Sequence, residues 1–274
     1  MKWISPRAFT RSLKLTALAF VLPLGWTHAD EPPRILADKE FFTKGSYIAF
    51  AGPWSVDIPN GETLKHEVDF VDQIAVRPGT FPANSDLSWH WPLKGPTHTG
   101  VYGYNSLSFG SYYGGAAEKP IPAKQVKDIG VLTEDFRFTM PLCLGEHNVL
   151  TEFFLAEKAD GEKKIAEIGF FLHAGKSAMP YADAGEQLGI WKDAANRGWK
   201  VAKQAGPQGP YFMFIPVGAG DVLEGTIDFK AALEFLRGKK LVTGEEWFTG
   251  LALGIEPMRG SGSVHVESFA VKYE

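Results

Sequence analysis

The sequence predicts an all-β protein, a two-sheet antiparallel sandwich carrying one packed helix. Three observations lead there. Short apolar runs recur between turn signals along most of the chain, thirty glycines and eighteen prolines punctuate them, and only one segment has helical rather than strand periodicity.

In chain order, residues 1–29 have the form of an export signal. Lys2, Arg7, Arg11 and Lys14 precede an apolar run over 15–26, and Thr27-His28-Ala29 suits cleavage before Asp30. A membrane anchor is the alternative, but the run is shorter than the roughly 20 residues that span a bilayer, and it contains Pro23. Residues 30–44 read as a polar, Pro-containing leader, and residues 45–274 as one β domain.

Within that domain, strands are expected at 47–50, 66–74, 100–109, 134–140, 148–156, 165–174, 198–203, 211–217, 246–255 and 263–272. From 228 to 239, Phe229, Ala232, Leu233 and Leu236 recur at helical spacing with Gly238 near the end, which predicts the amphipathic helix.

Composition excludes several classes of function. The whole chain has formal net charge −4, and removal of the four basic leader residues makes it more acidic still, which argues against nucleic-acid or anionic-membrane partners. Cys143 is the only cysteine, so no intrachain disulfide forms despite an export route that permits one. There is no phosphate-binding glycine loop, dinucleotide fingerprint, His-Glu-x-x-His or Gly-x-Ser-x-Gly elbow. The seven histidines are scattered, so neither a cofactor nor a metal is expected. A secreted monomer, extracellular or periplasmic, is the expectation.

Carboxylates inside apolar strands are the unusual feature. In Ile165-Ala166-Glu167-Ile168-Gly169-Phe170-Phe171-Leu172 one Glu interrupts a run that otherwise reads as core, and an unpartnered buried carboxylate costs several kcal/mol. Alternation puts Glu167, Gly169 and Phe171 on one face, where the glycine leaves room for approach. In Leu253-Gly254-Ile255-Glu256-Pro257-Met258-Arg259-Gly260 a Glu closes an apolar strand; an ion pair with Arg259 and a catalytic role are equally compatible with the pattern. Glu152 lies in the strand before Glu167, across a hairpin around Asp160-Gly161, so the two share a face and one pKa of the pair rises.

Two carboxyl groups, one to attack or activate water and one to protonate the leaving oxygen, are what glycoside hydrolysis requires. Aromatic residues fit a sugar ligand: Trp89 and Trp91 alternate onto one face, as do Tyr102 and Tyr104, although core packing is the commoner reason for such a pair taken alone.

With these blocks in view, the chain resembles glycoside hydrolase family 12, endo-acting β-1,4-glucanases and xyloglucanases with a concanavalin-like β-jelly-roll fold and a retaining mechanism. Glu167-Ile168-Gly169-Phe170-Phe171-Leu172 is similar to the family's Glu followed by Met-Ile-Trp-Leu, which implies that Glu167 is the nucleophile. Gly254-Ile255-Glu256-Pro257 resembles its Gly-Thr-Glu-Pro, implying that Glu256 is the acid/base. Asn148-Val149-Leu150-Thr151-Glu152 resembles its Asn-Val-Ala-Tyr-Asp, making Glu152 the acidic neighbour of the nucleophile.

Trp89-His90-Trp91 and Val101-Tyr102-Gly103-Tyr104-Asn105 look like its aromatic cleft strands. The resemblance therefore implies that Trp89, Trp91, Asn105, Phe171 and Trp54 bind substrate, a β-glucan polysaccharide. Gly169, Phe171, Glu152 and Asn105 depart from the family's residues at those positions. A non-catalytic carbohydrate-binding sandwich is the rival; it needs the tryptophans but not Glu256 opposite Glu167.

Overall fold

A computed structural model describes residues 32–54, 64–92, 100–112, 114–115, 117–218 and 220–274; the export signal expected at 1–29 lies outside them. The elements are β1 Arg34–Leu36, β2 Phe41–Lys44, β3 Tyr47–Phe50, β4 Val71–Val76, β5 Ser85–Trp91, β6 Asn105–Gly110, β7 Lys124–Gln125, β8 Leu132–Ala156, β9 Lys164–His173, α1 Ala178–Asp183, β10 Glu186–Lys192, β11 Gly198–Gly206, β12 Gly209–Pro216, β13 Glu224–Asp228, α2 Phe229–Gly238 and β14 Trp247–Tyr273.

The two long strands β8 and β14 organise everything else. They pair antiparallel from Trp247↔Ala156 at one end to Tyr273↔Leu132 at the other. One half of the pair, around 148–156 and 247–256, is flanked by β6, β3 and β2 on one side and by β9, β12, β11 and β10 on the other. The other half is flanked by β5, β4 and β1 on one side and by β13 on the other. The result is the expected two-layer sandwich, with one hydrogen-bonded ladder running through both layers.

The bend between layers is made by paired glycines. Gly145 and Gly260 are cross-strand partners, both at positive φ (98° and 85°). A Cβ on either would stand 2.2 or 2.1 Å from a carbonyl oxygen of the opposite strand. No other residue permits that approach.

Alternation divides the side chains of the first layer. Val149, Phe153 and Leu155 of β8, Ile168, Phe170 and Leu172 of β9, and Leu251, Leu253 and Ile255 of β14 enter the core between the layers. Leu150, Phe171, Met213 and Ala252 form a second cluster on the opposite, concave face.

Helix α2 closes the core. Asp228 caps it by accepting a hydrogen bond from the Ala231 amide at 2.9 Å, and Phe229 packs edge-on against Phe153 and Phe170. Each such buried ring contributes about 1.5–3 kcal/mol by removal from water.

Three expectations are corrected. Within the 30–44 leader, Arg34–Leu36 and Phe41–Lys44 are strands, pairing with β4 and β3. The sheet is not wholly antiparallel, since β12 runs parallel to β9. A second short helix, α1, lies against the concave face through Ala178 and Ala182.

One core residue makes stability depend on pH. Glu134 of β8 is fully buried; its Oε1 accepts a hydrogen bond from Thr151 at 2.7 Å and its Oε2 has no partner. Burial raises its pKa from 4.5 to about 8. The folded protein therefore retains a proton that the unfolded chain releases, so this stabilisation is complete below the unfolded pKa and is lost as pH rises towards the folded value. Glu134→Gln is expected to raise Tm relative to wild type at pH 8 and to change it little at pH 4; a difference that does not grow with pH between these limits contradicts this account.

Candidate active site

The concave face carries a groove of about 840 Å³ lined by Glu152, Glu167 and Glu256. Register places the three. Glu152 faces Gly169 across the β8–β9 ladder and Glu167 faces Phe154, so both carboxylates rise from the same face of neighbouring strands, as expected. Glu256 faces Asn148 across the β14–β8 ladder, and the Asn148 amide donates to its Oε2 at 2.8 Å. The alternative ion pair is absent: Arg259 instead binds Glu146 at 2.5 Å, and Glu146 also accepts from the Ser177 amide at 2.8 Å.

Between the glutamates the floor is made of aromatic rings laid over glycines. Tyr104 covers Gly254, where a Cβ would stand 2.8 Å from its ring, and its hydroxyl donates to the Ala252 carbonyl at 2.7 Å. Tyr211 covers Gly169 in the same way. The room seen beside Glu167 in the sequence is thus filled by a ring from the next strand.

The electrostatics separate the carboxyl groups. Glu152 is 5% exposed and accepts a hydrogen bond from the Tyr112 hydroxyl; burial, then the charges of Glu167 and Glu256, push its pKa well up. Glu167 is half-buried and its pKa is raised by burial to about 7, against the opposing effects of a hydrogen bond with Glu152 and the Lys164 charge. One proton shared by the pair therefore resides mainly on Glu152, leaving the charge on Glu167.

Glu256 is raised to about 7 by burial, with the Asn148 hydrogen bond lowering it and Glu167 adding repulsion. Lys164 stands with its Nζ 3.7 Å from the centroid of the Phe154 ring; burial lowers its pKa and the Glu152 and Glu167 charges oppose that.

The other expected substrate-binding residues divide. Phe171 lines the groove, and so does Trp54, 49% exposed and anchored by its indole N–H to the Val101 carbonyl at 3.1 Å. Trp89, Trp91 and Asn105 do not. Trp89 folds over its cross-strand partner Gly262 and packs on His147; Trp91 is stacked between Phe70 and Tyr102 and donates to Asp72 at 3.0 Å. Alternation put both tryptophans on one face correctly, but that face belongs to the core. Asn105 is fully buried, its Oδ1 accepting from the Gly52 amide at 2.9 Å, and it supports the groove from beneath.

Tyr112, Lys164 and Tyr211 were not singled out from sequence. Only Lys164, directly before the apolar run that holds Glu167, carried a local signal. Among the described residues, no group of three or more His, Cys, Asp or Glu side chains is arranged to hold a metal ion.

The fold is that of the family 12 glycoside hydrolases. The catalytic domain of Humicola grisea Cel12A, solved with a soaked thio cellotetraose, superposes with TM-score 0.71 at 16% identity, over 88% of this chain and 99% of that one. The ligand-bound family 12 xyloglucanase of Bacillus licheniformis gives 0.67 at 16% identity, over 88% and 100%. Endoglucanase 3 of Trichoderma harzianum gives 0.69 at 15% identity, over 88% and 98%. No protein-family model matches the sequence, and no curated protein matches it.

Proposed function

We propose that the protein is a secreted, monomeric, endo-acting glycosidase that cleaves β-1,4-glucan, whether cellulose, mixed-linkage glucan or xyloglucan, with retention of configuration. The observation that carries this is the meeting of Glu167 and Glu256 in one open groove, with a third carboxyl group, Glu152, bonded to Glu167. The fold shared with glucan-cutting enzymes supports it, and the second carboxylate separates it from a carbohydrate binder.

In the first step the ionised Glu167 attacks the anomeric carbon as the glycosidic bond breaks, and Glu256 gives its proton to the departing oxygen. In the second, Glu256 takes a proton from water, which attacks the same carbon and releases Glu167. Glu152 holds the proton of the pair, so the attacking group carries the charge. Trp54, 49% exposed, offers a flat apolar surface to a sugar ring, and Phe171, nearly buried, backs the groove wall. Reducing-sugar release from barley β-glucan, carboxymethylcellulose and xyloglucan tests the activity; no release from any of them rejects it. Mass determination of the exported protein tests cleavage before Asp30.

The pH profile follows from Glu256. It works protonated, so kcat/KM falls as pH rises through about 7. Asn148→Ala removes a hydrogen bond that favours the ionised form, so the alkaline limb of kcat/KM moves to higher pH. An unmoved or lowered limb rejects Asn148 as the residue that sets the acid's strength.

A further inference from the structure

Tyr211 opens the concave face of β12, in parallel register with Glu167. Its ring lies back across β9, where a Cβ on Gly169 would stand 2.5 Å from the hydroxyl and 3.0 Å from the ring. A side chain at 169 therefore displaces it. The side chain is half-buried in the groove wall, with Phe171 beside it at 6.4 Å between ring centroids.

Its hydroxyl feels the charges of Glu256, Glu152 and Glu167, yet it makes no hydrogen bond to any described residue. A phenol held in place by backbone register and packing, close to three carboxylates and bonded to none, has its donor directed at whatever fills the groove. Burial and those three charges keep its pKa well above the ordinary value, so it donates and does not act as a base.

We propose that the Tyr211 hydroxyl donates a hydrogen bond to the sugar unit bound between Glu167 and Glu256, and that Gly169 is required in order to seat it. This rests on the glycosidase function proposed above. The contact adds to the binding and orientation of the unit undergoing cleavage without taking part in proton transfer. It also accounts for a glycine beside Glu167: the space a side chain there would fill is occupied by Tyr211.

Tyr211→Phe keeps the ring on Gly169 and removes only the oxygen. Wild type and variant are compared on barley β-glucan and on 2,4-dinitrophenyl β-cellobioside, with Tm measured for each. The expected result is a loss in kcat/KM of about tenfold or more with Tm unchanged. Gly169→Ala, which pushes the ring aside, should give a similar loss, and the double variant little more than either single one. Tyr211→Phe within about twofold of wild type overturns the proposal and leaves the glycosidase function standing. Additive losses in the double variant overturn the role given to Gly169. A wild type that cuts neither substrate refutes the glycosidase function itself; cellotetraose titration calorimetry then decides for Tyr211, and undiminished affinity in Tyr211→Phe overturns the contact.

Discussion

Glu167→Gln is expected to lower kcat on β-glucan by more than about 10⁴-fold, because an amide cannot form the glycosyl ester on which the two-step route depends. No neighbour takes over. Glu152 is the nearest carboxyl group, but it is 5% exposed, bonded to Tyr112 and retains the proton of the pair. The fold should survive the change. Glu167 has a raised pKa, so its ionisation destabilises the native state as pH rises, and a neutral isostere removes that cost. Tm of the variant at pH 8 should equal or exceed that of wild type. A variant that cuts at the wild-type rate, or one that fails to fold, contradicts this description of the site.

Glu256→Gln should show a different kinetic signature. Loss of a general acid costs about 10²–10⁴-fold on an unactivated glucan. On 2,4-dinitrophenyl β-cellobioside the leaving group departs without protonation, so the first step survives and breakdown of the intermediate becomes limiting. Added azide, which attacks without base assistance, should then restore turnover and give the β-glycosyl azide. Equal losses on activated and unactivated substrates, with no response to azide, reject Glu256 as the acid/base. Comparing the two variants under the same conditions separates the roles, because azide gives no β-product with Glu167→Gln.

Parts of this molecule were legible in the sequence for definite physical reasons. Glu167 and Glu256 stood out because a carboxylate in an apolar strand needs a partner or a use, and both line the groove. The Glu152–Glu167 pairing followed from the hairpin between their strands. The helix at Phe229–Gly238 came from its 3.6-residue apolar spacing and from Gly238 near its end. What failed to show was long-range. Gly145 and Gly260 look like turn residues, so β8 and β14 each read as two strands; only their pairing reveals that the glycines bend one continuous ladder.

The strands β1, β2, β7, β10 and β13 each pair along one side only, and each holds at most three apolar residues, too few to mark a strand by periodicity. Trp89 and Trp91 were placed on one face correctly, but periodicity cannot say whether that face meets solvent or the other layer. Tyr112 reaches the site from the loop after β6 and Tyr211 from β12, and no local pattern connects either to Glu167 on β9.

The measurement that tests the central claim most directly is covalent trapping. Incubation with 2,4-dinitrophenyl 2-deoxy-2-fluoro-β-cellobioside slows both steps but releases the good leaving group, so the glycosyl-enzyme accumulates. Peptide mass mapping is predicted to find one fluorocellobiosyl group per chain, esterified to Glu167. A label on Glu152 or Glu256, or steady turnover to the inverted product with no label, contradicts the assignment.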